Sequence, residues 1–160
     1  MTTPAAGPRH GAGARAREVL EREGAGVLAT ISERHAGAPF ASLASYALGA
    51  DGAPVFLFSA LAQHTRNLDA DPRATLYVED RAPRDDDPQQ RPRLAIVGRA
   101  VRAPAASVAA ARDAYLARHP QAEPLLALDF ALFRLEPEEI HWVGGFASAT
   151  WLSPGAVLGA

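Results

Sequence analysis

PVFLFSALAQHTRNLDADPRATLYVED, residues 54–80, decides the fold. Val55, Phe56, Leu57 and Phe58 form an unbroken apolar run, the pattern of a strand covered on both faces. Ser59 ends the run. A short helix follows, with Leu61, Gln63, His64, Thr65 and Asn67 around its entrance and Leu68 facing inward. Asp71-Pro72 stops that helix, because proline lacks an N–H and restricts the residue before it. Thr75 to Val78 then read as a new strand, rich in β-branched and aromatic residues. A hydroxyl at a strand end, beside a helix N-terminus with His, Thr and Arg in its first turns, is a candidate anion seat. An ordinary helix entrance solvated by water has the same composition.

Upstream, Gly26–Ser32 is the first strand and Phe40–Leu48 the second. In the second, Phe40, Ser42, Ala44, Tyr46 and Leu48 share one face, and Ala41, Leu43, Ser45 and Ala47 the other. Asp51-Gly52 is a hairpin signal that delivers the chain to the strand at Val55, so these three strands form an antiparallel meander. Ala14–Glu23 reads as a short charged helix stopped at Gly24. The small, proline-containing, basic residues 1–14 read as a disordered lead-in.

Downstream, the charged and proline-rich stretch Arg81–Pro92 is an exposed loop. Arg93–Arg102 is a strand whose interior Gly98 signals a bulge or a close backbone approach. Pro104 opens a helix that runs to about Arg118 and ends at His119-Pro120. After a proline-flanked linker come two strands, Phe130–Leu135 and Glu138–Val143, joined at Glu136-Pro137. A single domain spans residues 15–152, followed by a flexible tail, 153–160. These elements predict a mainly β fold: a six- to seven-stranded antiparallel barrel with short flanking helices.

Composition narrows the function. An apolar fraction of 48% fits a globular core and not a disordered chain. A net charge of −2 argues against a general nucleic-acid surface. Without cysteine there is neither a disulfide nor a thiolate metal site nor a cysteine nucleophile. No apolar run reaches membrane-spanning length. The N-terminal segment lacks the apolar core of a signal peptide, so a cytoplasmic location is expected.

The 5 histidines, His10, His35, His64, His119 and His141, show no paired metal-ligand spacing, so no metal site is expected. Asp85-Asp86-Asp87 could take a cation, but a solvated loop explains it better. There is no G-x-S-x-G turn, no P-loop and no G-x-G-x-x-G fingerprint. What remains is a site for an anionic small molecule. Its candidate parts are Ser42, Ser59, His64, Thr65, Asn67 and Arg93, with an aromatic contribution from Trp142 or Phe146. Such parts suit a planar cofactor bearing a phosphate: hydroxyls, helix N–H groups and an arginine for the phosphate, aromatic and apolar residues for the ring. Each also has a plain structural use: strand serines on the pleat, Trp142 in the core, Arg93 at the surface.

The order G-V-L-A-T at Gly26, P-F-A-S-L at Pro39, S-A-L-A-Q-H-T-R-N-L at Ser59 and D-P-R-A at Asp71 resembles the pyridoxamine 5′-phosphate oxidase-like, FMN-binding split barrels. R-L-A-I-V-G-R-A at Arg93, D-F-A-L-F-R-L at Asp129 and H-W-V-G-G-F at His141 resemble their haem-utilisation branch. The resemblance covers roughly residues 18–152. It implies a homodimer with FMN at the interface and oxidoreductase activity on an unidentified small substrate. It puts Ser59, His64 and Thr65 at the flavin phosphate, Arg93 beside the cofactor and Trp142 near it from the partner chain. Where the oxidases carry an Arg-Lys pair this chain has Gln63 and His64. Ser148 and Thr150 stand near where they carry a substrate-gripping arginine and histidine. Pyridoxamine phosphate itself is therefore not the expected substrate. The alternatives are a haem-binding or haem-degrading protein, with His64 or His141 as axial ligand, and a cofactor-free binding module.

Overall fold

Antiparallel pairing runs through the whole molecule. The computed structural model describes residues 11–83 and 87–159. Within them, strands β1 (Ala25–Ile31), β2 (Pro39–Ser45), β3 (Ala47–Leu48), β4 (Pro54–Ser59), β5 (Arg73–Glu79), β6 (Arg93–Arg102), β7 (Phe130–Val143) and β8 (Ala149–Leu152) form one 8-stranded sheet. The order is β2-β1-β5-β6-β7-β4-β3, with β8 added to β7. Because β2 and β3 are one strand interrupted only at Tyr46, the two ends of that order are the same piece of chain. The sheet therefore curls round on itself. Short helices flank it: α1 (Ala12–Glu23), α2 (Gln63–Ala70), α3 (Val108–Arg118) and α4 (Pro154–Leu158). No helix among the described residues is long and apolar enough to cross a membrane.

Strand β4 shows why the fold takes this form. Phe56 and Phe58 enter the barrel core with Leu28, Leu76, Ile96, Phe133 and Trp142. Val55 and Leu57 face the other way, into a second apolar layer with Ala111 and Tyr115 of α3. The unbroken apolar run thus has two cores to fill, each buried large side chain contributing about 1.5–3 kcal/mol. At Tyr46 the strand turns from β1 toward β4. Its backbone N–H donates to Gly24 O at 2.9 Å and its hydroxyl to Leu20 O at 2.7 Å, which fix the bend.

Several boundaries differ from the sequence expectations. Residues 130–143 are one strand, not two. Pro137 sits opposite Gly98 where the β6–β7 register shifts, so the proline marks a bulge and not a break. The helix expected from Pro104 starts as a tight turn, Ala105–Ser107, before α3 proper, and the linker after it is the 3₁₀ segment Pro120–Ala127. α1 begins at Ala12, inside the expected lead-in. The tail is not loose: Val157 and Leu158 of α4 are core residues, and apolar burial holds the segment against α1. Asp85 and Asp86 lie outside the described residues, while Asp87 accepts from Gln89 N–H and starts the short turn Pro88–Gln90.

Candidate functional site

β2 pairs with β1 along its full length, and only the two residues of β3 reach β4. Between Ala44–Ser45 and Leu57–Ser59 the strands part. A cleft of about 270 Å³ opens there, lined by Leu43, Ala44, Leu57, Phe58, His64 and Phe130 among others. The split in the barrel is the candidate site.

Helix α2 supplies the polar wall. His64 leans on the Phe58 ring with centroids 4.2 Å apart, and its Nδ1 lies 3.2 Å from Ser42 Oγ. Burial among these apolar neighbours lowers the His64 pKa, so the imidazole favours its neutral form. With the proton on Nδ1 donated to Ser42, the Nε2 lone pair is left over for a ligand.

The other expected anion ligands are committed inside the fold. Ser59 Oγ donates to Asp129 Oδ2 at 3.2 Å and accepts from Leu61 N–H at 3.1 Å. Thr65 is buried, and its hydroxyl donates to Ser59 O at 2.7 Å. Asn67 is fully buried: Nδ2 donates to Thr30 Oγ1 at 2.9 Å, and Oδ1 accepts from Glu33 N–H and Gln63 Nε2. It ties α2 to β1 and to the turn after β1. Only the N–H groups of Gln63 and His64 at the start of α2 have no acceptor among the described residues.

Ser42, Ser59, His64, Thr65 and Asn67 are therefore brought together, but Arg93 and Trp142 are not. Arg93 pairs with Glu79 at the far end of β5 and donates to Gln89 O and Arg91 O. Trp142 is a core residue beneath Arg15. Phe146 is exposed on the loop before β8. Among the described residues no three His, Asp or Glu side chains converge as a metal site requires. Sequence reasoning missed Asp129, Leu43 and Phe130. Asp129 is separated from Ser59 by the whole β5–β6–α3 excursion, and no short-range signal joins them.

The cleft opens onto an apolar row across the outer face. Register places Leu43 opposite Val27, Val27 opposite Tyr77, Tyr77 opposite Ala95, Ala95 opposite His141, and His141 opposite Trp151. The His141 and Trp151 rings lie 4.8 Å apart. Leu43 is 72% exposed, Trp151 55% and Val27 41%, so the row is uncovered in a single chain.

Comparisons with known proteins agree with this architecture. The family model "CREG, beta-barrel" matches residues 8–156. The Arabidopsis thaliana protein named non-canonical heme oxygenase HOZ, chloroplastic, is 37% identical over 133 residues, 83% of this chain and 40% of that protein. A heme binding protein from Mycobacterium smegmatis superposes with a TM-score of 0.83 at 34% identity, covering 94% of this chain and 61% of that one. The protein Atu2129 from Agrobacterium tumefaciens, of unknown function, gives a TM-score of 0.78 at 30% identity, over 98% of this chain and 64% of that one. The chain thus spans less than two thirds of the length of each of these three relatives.

Proposed function

Because the chain belongs to the CREG beta-barrel family, within the haem-utilisation branch of the split barrels, we propose that it binds haem in the barrel split through His64. One observation carries this reading: an imidazole whose burial favours the neutral form stands in an apolar cleft, its Nδ1 3.2 Å from Ser42 Oγ and its Nε2 without a hydrogen-bond partner among the described residues. A hydrogen bond to the second ring nitrogen is what orients a metal-ligating histidine. FMN fits less well. Its phosphate would find the Ser59, Thr65 and Asn67 side chains already bonded, Ser59 to the exposed Asp129 carboxylate, and no arginine lining the cleft. The names of the Arabidopsis and Mycobacterium relatives support the same choice and an oxidoreductase class.

When bound, haem supplies one-electron and dioxygen chemistry. The chain's part is to bind and orient. Phe58, Leu57 and Phe130 exclude water from one side, and Ser42 holds the imidazole ring. Adding hemin to the purified protein should produce a Soret band that saturates. His64→Ala should weaken binding about tenfold or more and shift the band, since the imidazole that would hold the iron is removed. Unchanged titrations of His64→Ala would refute the assignment. Protonation would compete with the metal for the imidazole, and burial lowers the His64 pKa below its ordinary 6.5. Binding should therefore persist below pH 6.5 and fall only as pH drops through the lowered value.

The reading includes a homodimer. A cleft of about 270 Å³ is smaller than the roughly 300–1,000 Å³ of small-molecule pockets, and a second surface laid over it would deepen it. Leu43 belongs both to the cleft and to the exposed row, so a copy seated on the row closes the split. Leu43→Asp should convert a two-chain species at micromolar concentration to a monomer in sedimentation velocity. Two copies of the leucine are lost across a two-fold interface, roughly 3 kcal/mol or more and about a hundredfold in dissociation constant. A Leu43→Asp protein that still sediments as the parent does would exclude this face.

A further inference from the structure

Helix α2 begins with two N–H groups that have no acceptor among the described residues, beside a strand-end hydroxyl, yet the charged partner of that hydroxyl is the exposed Asp129 carboxylate. Asp129 immediately precedes β7. Its backbone carbonyl accepts from Ala60 N–H at 2.8 Å, pinning it to the end of β4. From there Oδ2 accepts a hydrogen bond from the Ser59 hydroxyl at 3.2 Å. Ser59 in turn accepts from Leu61 N–H, so the loop entering α2 is organised around the chain's own negative charge.

We propose that Asp129 sets the ligand class of the split: it is a built-in anion that occupies the electrostatic place of a ligand phosphate and excludes phosphate-bearing flavins. The inference deepens the haem reading, and rests on it only for the identity of the ligand that is admitted. An incoming phosphate must displace the carboxylate from Ser59 or lie beside it, and like charges a few ångströms apart disfavour each other even when partly screened. No arginine lines the cleft to compensate. A neutral isoalloxazine ring meets no such penalty, so the discrimination falls on the phosphate and not on the ring.

The test compares FMN with riboflavin by quenching of flavin fluorescence, using the parent chain, Asp129→Asn and Asp129→Ala. Asp129→Asn keeps the shape and an acceptor for Ser59, and a melting curve checks that each variant folds. FMN affinity should rise about tenfold or more in both variants, the scale of one charge-assisted hydrogen bond, while riboflavin affinity stays within about twofold. The gain should shrink with added salt. Three results would overturn the proposal: FMN binding to the parent as tight as to the variants, equal gains for FMN and riboflavin, or no FMN binding by any of the three. A hemin titration of the parent chain decides the haem reading separately. Loss of that reading together with an FMN gain in Asp129→Asn would leave the role of Asp129 standing.

Discussion

A chain carrying Gly98→Val should fail to fold, and Gly98→Ala should lose about 2–4 kcal/mol in urea unfolding. A Cβ built on Gly98 lies 2.1 Å from Glu136 O and 3.0 Å from Pro137 Cα. These are backbone atoms of the neighbouring strand, so no side chain can swing aside. The closeness follows from the bulge, where Gly98 faces Pro137 and the pairing skips a residue relative to Val97 and Glu139. To admit a methyl group, β6 and β7 must part in the middle of the most extensive strand pair in the molecule. Overpacking of this kind costs about 1–3 kcal/mol before any ladder hydrogen bond is lost. Valine adds two more carbons against a total stability of about 5–15 kcal/mol. An alanine variant with the parent's midpoint would show that the strands do not approach this closely.

Asn67→Leu should destabilise by about 3–5 kcal/mol without altering ligand affinity per folded molecule. The side chain is nearly isosteric, so the loss is polar. Glu33 N–H and the Gln63 amide lose their acceptor and Thr30 Oγ1 loses its donor, keeping only its own donation to Phe40 O. A buried group left without a partner costs about 1–3 kcal/mol. Asn67 exposes no surface to the cleft, so a ligand there has no atom of it to touch. Equilibrium unfolding measures the first effect and a hemin titration at low temperature the second. An affinity loss with full stability would return Asn67 to the binding site.

The contrast between Asn67 and His64 shows what the sequence can and cannot convey. Both stand in one short helix entrance and both are polar, so residue type alone offers each as a ligand. Asn67 comes one turn later, on the side of α2 that faces Thr30, and is consumed by the fold. His64 faces the split. That distinction depends on where β1 and β2 lie, which periodicity cannot give. Most of the strands were legible, because β4 is apolar throughout and β2 alternates its faces, but β8 (Ala149–Leu152), short and half-exposed, was not. Gly98 likewise announced its bulge. Pro137 misled, since a proline in a strand pattern signals a break unless the partner strand supplies a glycine to receive it. Arg93 and Trp142 were grouped with the site by residue type, a charge for the phosphate and a ring for the cofactor, and then by resemblance; within one chain they stand apart from it. Val157 and Leu158 looked like a tail because two apolar residues in a short segment carry no period.

The split also has a bearing on solubility. Pro39 to Ser45 have a strand partner on β1 alone, and Phe56 to Ser59 on β7 alone. Two open backbone edges therefore face each other across the gap, the kind of surface onto which a foreign strand can add. α2 packs against β1 and β2, and the His64 ring, held by Ser42, lies between the edges. The His64 side chain thus stands where a foreign strand would have to enter, so the same ring that lines the cleft also obstructs intermolecular β-pairing across it.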